Sequence, residues 1–527
     1  MARQRPVHSP SQLPPGRVID TSFHMLGADG RGGWRTKLPR GIVAVTPTGA
    51  PTRPHTAARP DMTYRIPATR QVDATWTPPP RRVLVADRLF TGEEPAYRGS
   101  GSGGGSGSGS GVGGGSRRQA VAIADGVIAW VGDAAELPAS FAGWDRSDHA
   151  GAAILPGLVE THAHLGAYVW AAQIDVPDPS QHSDAWEVLS AAKIARQLAS
   201  LGVTTVQSLG ARSYADVVLR EAIKAGLIAG PRIVASGPPV TLTGGHDWND
   251  GVEVDSIRDI LRAVREHHKA GADVIKVMAT GGFMSHSTAP WNAQFTVAEL
   301  TALADDAHRL GKRVAAHAHG TEGIRRAAEA GFDFIAHGSF VAADGSTRFD
   351  PAVADLIAAR GIFVDHCAVP SYPAVADEPA AARAFDLYQR GVLVVVGHDI
   401  GAVHPASAYT FGLRQLEAVG LPRAEVLIAA TSRGAAAVGL AGVTGVLAPG
   451  YAADLIVVEG DPLADLRALE RLTEVVIGGR TFLREAVAPF DPATRFGRPE
   501  GLPLPDDVRA AHLDHLRRAA AHPLPLG

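Results

Sequence analysis

Histidine, lysine and aspartate residues recur at the ends of short apolar runs in the middle of the chain. The first of these segments, Thr-His-Ala-His, contains His162 and His164. Side chains two residues apart share one face of a strand, so both imidazoles can reach the same ion, and imidazole pairs suit zinc. One such pair is weak evidence by itself. A metal site becomes the favoured interpretation because four further segments follow: Val-Ile-Lys-Val at 274–277, Ala-His-Ala-His-Gly at 316–320, Ile-Ala-His-Gly at 335–338 and Gly-His-Asp at 397–399.

The elements that must position these residues are visible as a repeating pattern. The apolar runs that end in the ligand-type residues are typical of buried parallel strands. Segments with apolar residues at three- and four-residue spacing alternate with them and predict helices at 185–201, 215–225, 256–270, 296–310 and 321–330. Alternation of this kind requires a parallel sheet. The intervals match an eight-stranded (β/α)8 TIM-like barrel over residues 154–439, in which the carboxyl ends of the strands carry the chemistry.

Both flanks of the predicted barrel carry strand patterns as well. Residues 82–90 predict one strand, and residues 119–132 predict a hairpin that turns at Asp-Gly. Strand patterns return at 452–460 and 474–480. We therefore expect a small β-sandwich domain that is built from the two flanks, residues 82–153 and 440–485.

Three segments stand outside these two domains. Residues 1–81 contain many prolines and no sustained period, so we expect a disordered N-terminal extension. Residues 99–116 are glycine and serine except for one valine, which predicts a flexible, linker-like insertion without a part in function. The C-terminal tail, residues 486–527, carries one predicted helix at 506–521.

The composition is that of a soluble globular enzyme, with 527 residues of which 45% are hydrophobic and 20% charged. The net charge of −4 combines +7 in residues 1–80 (11 Arg and Lys against 4 Asp and Glu) with −11 in the rest (39 against 50). The basic residues of this N-terminal segment do not recur at helical spacing, so we expect a solvated tail and no nucleic-acid partner. No apolar stretch predicts a membrane span or a secretory signal, and the expected location is cytoplasmic. The single cysteine, Cys367, excludes an intramolecular disulfide and is expected to be a buried core thiol.

The motifs resemble the amidohydrolase superfamily over residues 83–482. The resemblance begins with Leu-Pro-Gly-Leu-Val-Glu-Thr-His-Ala-His at 155–164 and continues through Asp399 to Gly-Tyr-Ala-Ala-Asp-Leu at 450–455. The Thr-Gly-Gly-His run at 243–246 and the Lys-containing run at 272–282 are similar to the imidazolonepropionase-like group that includes Xaa-Pro (prolidase-type) dipeptidases. The resemblance implies a barrel with a small β domain and metal-dependent hydrolysis.

The resemblance also implies a site for two divalent metal ions, and zinc is the metal we expect. Lys276 lies in an apolar strand, where a bare ammonium is costly. In this family the lysine at this position is carboxylated by carbon dioxide, and its carbamate bridges the two metals. A snorkelling or ion-paired lysine is the alternative. The implied metal ligands are His162, His164, Lys276, His317, His337 and Asp399.

Three residues have an implied role in catalysis. Asp399 would ligate one metal and carry a proton from the attacking hydroxide to the leaving amine. His319 shares a strand face with His317 and is interpreted as the group that polarises the scissile carbonyl, with a metal ligand or a supporting residue as alternatives. His246 follows two glycines and resembles the family residue that contacts substrate near the same carbonyl. A loop histidine without a role is the alternative for His246.

Two positions depart from the family pattern. Glu160 stands where aspartate is frequent, and His398 takes the place of a threonine that is common before the aspartate. Both changes are compatible with a hydrolase. The chain has no Gly-x-Ser-x-Gly elbow, so covalent catalysis by serine is not supported.

The sequence thus predicts a binuclear metal-dependent amidohydrolase in which a bridging hydroxide attacks the amide carbonyl of a dipeptide or an N-acyl amino acid. A cyclic amide, lactone or carbamate is the alternative substrate, and an inactive metal-binding scaffold is the alternative from another class. The expected partner is a small-molecule or dipeptide substrate, and a homo-oligomer is compatible with the sequence. Specificity would reside in loops at 241–255, 280–293 and 368–382. Candidates for binding the ends of the substrate are Arg212, Trp248 and His404.

Overall fold

The structure is a computed structural model of the 527-residue chain. It describes residues 79–93, 118–166, 183–283, 285, 287–344, 346–367, 369 and 382–490. The predictions for the N-terminal extension up to residue 78, for the Gly/Ser run and for the C-terminal helix lie outside the described residues.

Strands and helices alternate over most of the described chain. The strands are β1 (Arg82–Leu89), β2 (Gln119–Ala124), β3 (Val127–Asp133), β4 (Asp145–Pro156), β5 (Leu158–Ala163), β6 (Val203–Ser208), β7 (Arg232–Val234), β8 (Val240–Thr241), β9 (Val252–Glu253), β10 (Val274–Met278), β11 (Arg313–Ala318), β12 (Phe334–His337), β13 (Phe363–Asp365), β14 (Leu393–Val395), β15 (Leu455–Glu459), β16 (Leu472–Ile477) and β17 (Arg480–Thr481). The helices are α1 (Asp184–Ser200), α2 (Ala215–Lys224), α3 (Ile257–Ala270), α4 (Val297–Arg309), α5 (Thr321–Glu329), α6 (Pro351–Arg360), α7 (Ala382–Gln389), α8 (Ala408–Ala418), α9 (Arg423–Ala429) and α10 (Ser432–Ala437).

The first five helices lie within one residue of the bounds that their apolar spacing predicts. Local capping explains where they begin and end. The Thr296 hydroxyl accepts a hydrogen bond from the Glu299 backbone N–H, and the Glu299 carboxylate accepts one from Thr296 N–H, which forms a capping box at the start of α4. Gly271 ends α3 with a φ of 91°, a left-handed conformation that glycine adopts without a steric cost.

Strands from both flanks of the chain form one seven-stranded sheet in the order β17-β16-β15-β4-β1-β2-β3. The β2–β3 hairpin turns at Asp125 and Gly126, whose φ values of 54° and 84° match the Asp-Gly turn that the sequence predicts. The two flanks meet where β15 pairs antiparallel with β4. The sheet confirms that the flanks join each other, while the sandwich form of this domain stays a prediction.

The central strands form two parallel sheets, β5-β6-β7 and β14-β13-β12-β11-β10-β8-β9. Backbone hydrogen bonds connect the two sheets on both sides: Asp273 N–H donates to Ala235 O at 2.7 Å, and Thr161 N–H donates to Val396 O at 2.9 Å. All pairings within these two sheets are parallel, so their carboxyl ends lie at one edge. This edge holds the ligand-type residues.

One apolar core extends from the central strands to the flanking sheet. It includes Val206 and Val314 from central strands together with Leu155, Ile456 and Val475 from the flanking sheet. The flanking sheet is therefore packed against the rest of the described fold through buried side chains. Among the described residues, no helix is long and apolar enough to span a membrane.

Candidate metal centre

Two histidines at the end of β5 and an aspartate after β14 form the first group of ligand-type side chains. His162 Nε2 and His164 Nε2 are 3.3 Å apart. Asp399 Oδ1 lies 3.1 Å from His164 Nε2 and 3.6 Å from His162 Nε2. Three donor atoms this close can hold one metal ion together.

Two histidines at the ends of the neighbouring strands β11 and β12 form the second group. His317 Nδ1 and His337 Nε2 are 2.9 Å apart, and His319 has a nitrogen within the same cluster. Burial lowers the pKa of His317 and of His337 well below the usual histidine value. Both imidazoles are therefore neutral at physiological pH, and each has a lone pair for a metal.

The outward nitrogens of three of these histidines have partners outside the two groups, whereas their inward nitrogens face the other ligand-type side chains. His162 Nδ1 lies 3.1 Å from Asp365 Oδ2, and His317 Nε2 lies 3.2 Å from Gly281 O. His337 Nδ1 lies 3.4 Å from Cys367 Sγ. If these outer nitrogens carry the protons, as their acceptors require, the inner nitrogens are the lone-pair atoms. Partners of this kind orient the ligands of metal sites.

Lys276 lies in β10 with its side chain fully buried. The register pairs Lys276 with Ala315, two residues before His317, so Lys276 and His317 share one face of the sheet. Burial lowers the pKa of Lys276, and the nearby Asp399 opposes this only in part. The Nζ atom has no hydrogen-bond partner among the described residues. A snorkelling or ion-paired lysine gains no support from these contacts, and the buried amine fits a lysine that is modified or that contacts a metal.

Asp399 adopts a left-handed backbone conformation, with a φ of 59°. Burial by itself would raise the pKa of this carboxyl, but His162, His164 and Lys276 outweigh burial and lower the pKa. The carboxyl is therefore ionised at physiological pH and is available as a ligand. His337 and Cys367 also have positive φ values, 71° and 45°. Strained backbone of this kind is common at functional sites.

The other two predicted catalytic histidines lie beside the second group. His319 stacks on His337 with ring centroids 4.2 Å apart, and His319 Nδ1 lies 2.9 Å from Ser339 Oγ. The ring of His246 lies 4.5 Å from that of His317. Burial lowers the pKa of His246 and of His319 to about 3, so both rings are neutral. In the structure, both histidines thus lie beside the second group of ligand-type side chains.

Two glycines make room for these rings. A Cβ atom at Gly210 would lie 2.6 Å from His164 Nδ1, and one at Gly282 would lie 2.3 Å from His246 Nε2. Both distances are far below van der Waals contact. The close approach of the His246 ring thus explains Gly282, whereas a Cβ atom at Gly281 would lie 2.3 Å from Ala289 O.

The three residues proposed for binding substrate ends have different surroundings. Arg212 pairs with Glu187 at 2.6 Å, so part of its charge is already compensated. Trp248 is 49% exposed, and His404 is buried. Burial lowers the pKa of His404 to about 4. None of the three is a member of the two ligand groups.

The structure adds residues that the sequence analysis did not assign to the site. Asp365 is the last residue of β13 and Cys367 lies two residues later, with its thiol 3.0 Å from Asp365 Oδ1. The predicted burial of Cys367 is confirmed, but its neighbours are polar site residues. Asp247 is another addition: burial, together with Asp250, raises its pKa to about 8. The only sequence signal for these residues was their position at strand ends or next to a predicted site residue.

Comparisons with known proteins agree with this geometry. The amidohydrolase family pattern matches residues 153–482, and the bacterial imidazolonepropionase-like composite domain matches residues 120–143. Ochratoxinase from Aspergillus niger is 29% identical over 424 residues, which cover 71% of this chain and 85% of that protein. Imidazolonepropionase from Nocardia farcinica is 28% identical over 367 residues, which cover 65% and 86%.

A solved structure of a Xaa-Pro dipeptidase with bound methionine in its active site is also similar. It matches with a TM-score of 0.64 and 26% identity, and the match covers 76% of this chain and 99% of that one. The resemblance that the motifs carry is therefore confirmed. Since the family pattern spans more than half of the chain and includes every ligand-type residue described above, the chain belongs to the amidohydrolase family and is a hydrolase of carbon–nitrogen bonds.

Proposed function

We propose that this chain is a binuclear metal-dependent amidohydrolase that cleaves the amide bond of a dipeptide or an N-acyl amino acid. The observation that carries the proposal is the buried, unpartnered amine of Lys276 beside two groups of ligand-type side chains. Lys276 interacts electrostatically with His164 of the first group and with His317 and His337 of the second. An amine in that position can serve both groups.

The donor set fits two divalent ions when Lys276 is carboxylated. The amine would add to carbon dioxide, release one proton and become a carbamate with two oxygen donors. This change replaces a cation that burial disfavours with an anion that bound metals stabilise. His162, His164 and Asp399 would then hold one ion, and His317 and His337 the other. Imidazole and carboxylate donors of this kind suit zinc.

Bound divalent ions would supply a hydroxide nucleophile at neutral pH and polarise the substrate carbonyl. Side chains of the protein would transfer the proton, stabilise the oxyanion and contact the substrate. Asp399 is ionised and therefore able to accept the proton of the attacking water and return it to the leaving amine. Neutral His319 would donate a hydrogen bond to the developing oxyanion, and neutral His246 would contact the substrate beside it.

We infer that the central strands close into the predicted barrel. The sheet order gives β5-β6-β7 and β10 to β14 as eight parallel neighbours, and the hydrogen bonds at Asp273 and Thr161 connect the two sheets on both sides. A closed barrel places all eight carboxyl ends around one site. This arrangement supports one centre with ligands from five strands.

The relatives support two substrate classes. The Xaa-Pro dipeptidase favours a peptide-type substrate with a free terminus. The match of residues 120–143 to the imidazolonepropionase-like domain, and the imidazolonepropionase relatives, favour the cyclic amide as the alternative.

A library of dipeptides, N-acyl amino acids and cyclic amides, screened with zinc-loaded protein, tests the substrate class. We expect turnover of at least one dipeptide or N-acyl amino acid. Turnover of cyclic amides alone would favour the alternative. Protein that binds zinc and turns over no member of the library would favour the inactive scaffold.

The role of Lys276 is tested by Lys276→Ala. We expect this variant to lose its metal, measured by elemental analysis, and to lose turnover. A short carboxylic acid that fills the bridging position should restore part of both. Lys269→Ala is the matched control, because Lys269 is an exposed lysine on α3. A Lys276→Ala variant with full metal content and activity would refute the carbamate.

A further inference from the structure

The side chains of Glu160 and His398 contact each other. Glu160 lies in β5 and His398 follows β14, 238 residues later, and both side chains are fully buried. Glu160 Oε2 lies 2.9 Å from His398 Nδ1.

The Glu160 carboxylate also binds the backbone of both metal-ligand segments. Its Oε1 accepts a hydrogen bond from His162 N–H at 2.8 Å and another from His398 N–H at 3.0 Å. One carboxylate therefore holds three N–H groups. These bonds tie the backbone of a ligand at the end of β5 to the residue that precedes Asp399.

The position of Asp399 depends on this connection. Its backbone is left-handed, which is unfavourable for aspartate without support from its surroundings. The support comes from both sides: His398 N–H donates to Glu160, and Ile400 N–H donates to His162 O at 3.2 Å. Without the first bond, the nearest backbone hydrogen bond on the N-terminal side of Asp399 would be the one from Thr161 N–H to Val396 O.

Helix α8 is built around the imidazole of His398. A Cβ atom at Gly412 would lie 1.8 Å from His398 Nε2, so only glycine fits there. The Tyr409 ring lies 5.3 Å from the imidazole, and the Tyr409 hydroxyl donates to Val159 O at 2.9 Å. His398 Nε2 has no hydrogen-bond partner among the described residues, which suits a bare nitrogen with the proton on Nδ1.

We propose that Glu160 and His398 form a positioning pair that fixes the backbone of His162 and Asp399, so that both side chains meet at one metal and Asp399 can carry the proton. The proposal rests on the proposed function and names residues that act through the ligands. Neither residue needs to touch a metal or the substrate.

The variants His398→Leu and His398→Asn together test the Glu160–His398 pair. Leucine removes the donor and leaves Glu160 Oε2 unpaired, whereas the Asn amide can donate to Glu160 from nearly the same place as Nδ1. Zinc affinity is measured by competition with a chromophoric chelator, and thermal unfolding of the metal-free protein reports the fold separately. We expect His398→Leu to bind zinc at least about tenfold more weakly and to lose kcat with little change in KM. His398→Asn should stay within about threefold of the wild type.

His267→Leu is the matched control, because His267 is also fully buried and hydrogen-bonded, to Ala263 O and Pro238 O, but lies outside the two ligand groups. It should lower the unfolding temperature and leave zinc affinity unchanged. Glu160→Gln is the second variant if His398→Leu does not fold, and it should weaken zinc binding because the Gln amide presents a donor to His398 Nδ1–H.

The possible outcomes separate this proposal from the proposed function. Wild-type protein that takes up no zinc would contradict the proposed function. If the wild type binds zinc and either His398→Leu or Glu160→Gln keeps the wild-type zinc affinity and kcat, the positioning pair alone is overturned. Equal losses in His398→Leu, His398→Asn and His267→Leu would show general destabilisation and would overturn it as well.

Discussion

Burial favours the neutral form of five site histidines, because desolvation disfavours the imidazolium form; they are His164, His246, His317, His319 and His337. Burial lowers the pKa of His164, and it lowers the pKa of His319 to about 3. A neutral imidazole has one donor and one acceptor nitrogen, so its role depends on which nitrogen its partner occupies. His319 Nδ1 contacts the Ser339 hydroxyl, and Nε2 is then the nitrogen available for substrate or metal.

Asp399→Asn should abolish turnover while the fold is kept. The amide has nearly the shape of the carboxylate, but it cannot accept and return a proton. Turnover and metal content by elemental analysis are the measurements, with circular dichroism for the fold. Substantial turnover in the variant would assign the proton transfer to another group.

His319→Asn should keep both metals and lose roughly 10²–10³ in turnover, the usual cost of one oxyanion donor. Ser339→Ala is the companion variant: it removes only the partner of Nδ1, and its loss should be smaller. Metal loss in the His319 variant would make His319 a ligand. Unchanged kinetics would make it a structural residue.

The loops after β8 and β10 are fastened to each other, and this holds His246 at the metal centre. Gln294 Oε1 accepts from His246 N–H at 2.7 Å, while Gln294 Nε2 donates to Met278 O at 2.7 Å. Ser285 Oγ accepts from Asp247 N–H at 2.9 Å. The loop position is therefore set by side chains from the segment after β10, and we expect substrate specificity to depend on both loops together.

Gly282→Ala should displace the His246 ring, because the added Cβ would lie 2.3 Å from Nε2. We expect weaker substrate binding or slower turnover with unchanged metal content, measured by steady-state kinetics and elemental analysis. Gly143→Ala is the control, since a Cβ there meets no atom within 4 Å. Identical kinetics in the two variants would contradict a role for His246 in substrate binding.

The hydrogen-bonded pair of His308 on α4 and Asp333 before β12 should make the free energy of unfolding depend on pH. His308 Nε2 lies 2.9 Å from Asp333 Oδ2, and this hydrogen bond raises the pKa of His308 above 6.5. The stabilisation is full below the unfolded pKa and is lost as pH rises through the higher folded pKa. His308 is 41% exposed, so solvent screening keeps the effect small.

Urea unfolding of the wild type and of His308→Gln at about pH 5.5 and about pH 9 measures this effect. The wild type should be more stable than the variant at the lower pH, and the difference should shrink at the higher pH. A difference that grows with pH would contradict the assigned direction.

At the scale of the whole molecule, polar contacts from the C-terminal flank of the chain bind the central strands. Asp454, just before β15, pairs with Arg232 of β7 at 3.0 Å, and its other oxygen accepts from Gly478 N–H. Arg484 donates to Ser200 O at the end of α1 and to Leu472 O of β16. These contacts join the flanking sheet to the side of the fold away from the ligand groups, so the sheet supports the fold without supplying a ligand.

Replacing residues 99–116 with a short turn should leave turnover within a few-fold. The strands on either side, β1 and β2, are antiparallel neighbours, with Ala86 opposite Gln119, and a hairpin connection needs only a few residues. Turnover and thermal unfolding of the shortened protein are the measurements. A collapse of activity with the fold intact would show that the insertion acts as a lid or an interface.

The sequence by itself determined the positions of α1 to α5 and of the strands whose ends carry ligand-type residues, because periodicity and residue type are local properties. It also led to Lys276, since a lysine inside an apolar strand is costly wherever that strand lies. It did not predict α6 to α10. Only the tertiary structure decided that Glu160 meets His398, and that Asp365 and Cys367 stand behind His162 and His337. Such contacts join residues tens to hundreds of positions apart, so they depend on how the sheets join and on side-chain directions at strand ends, where left-handed residues such as Asp399 break the strand periodicity.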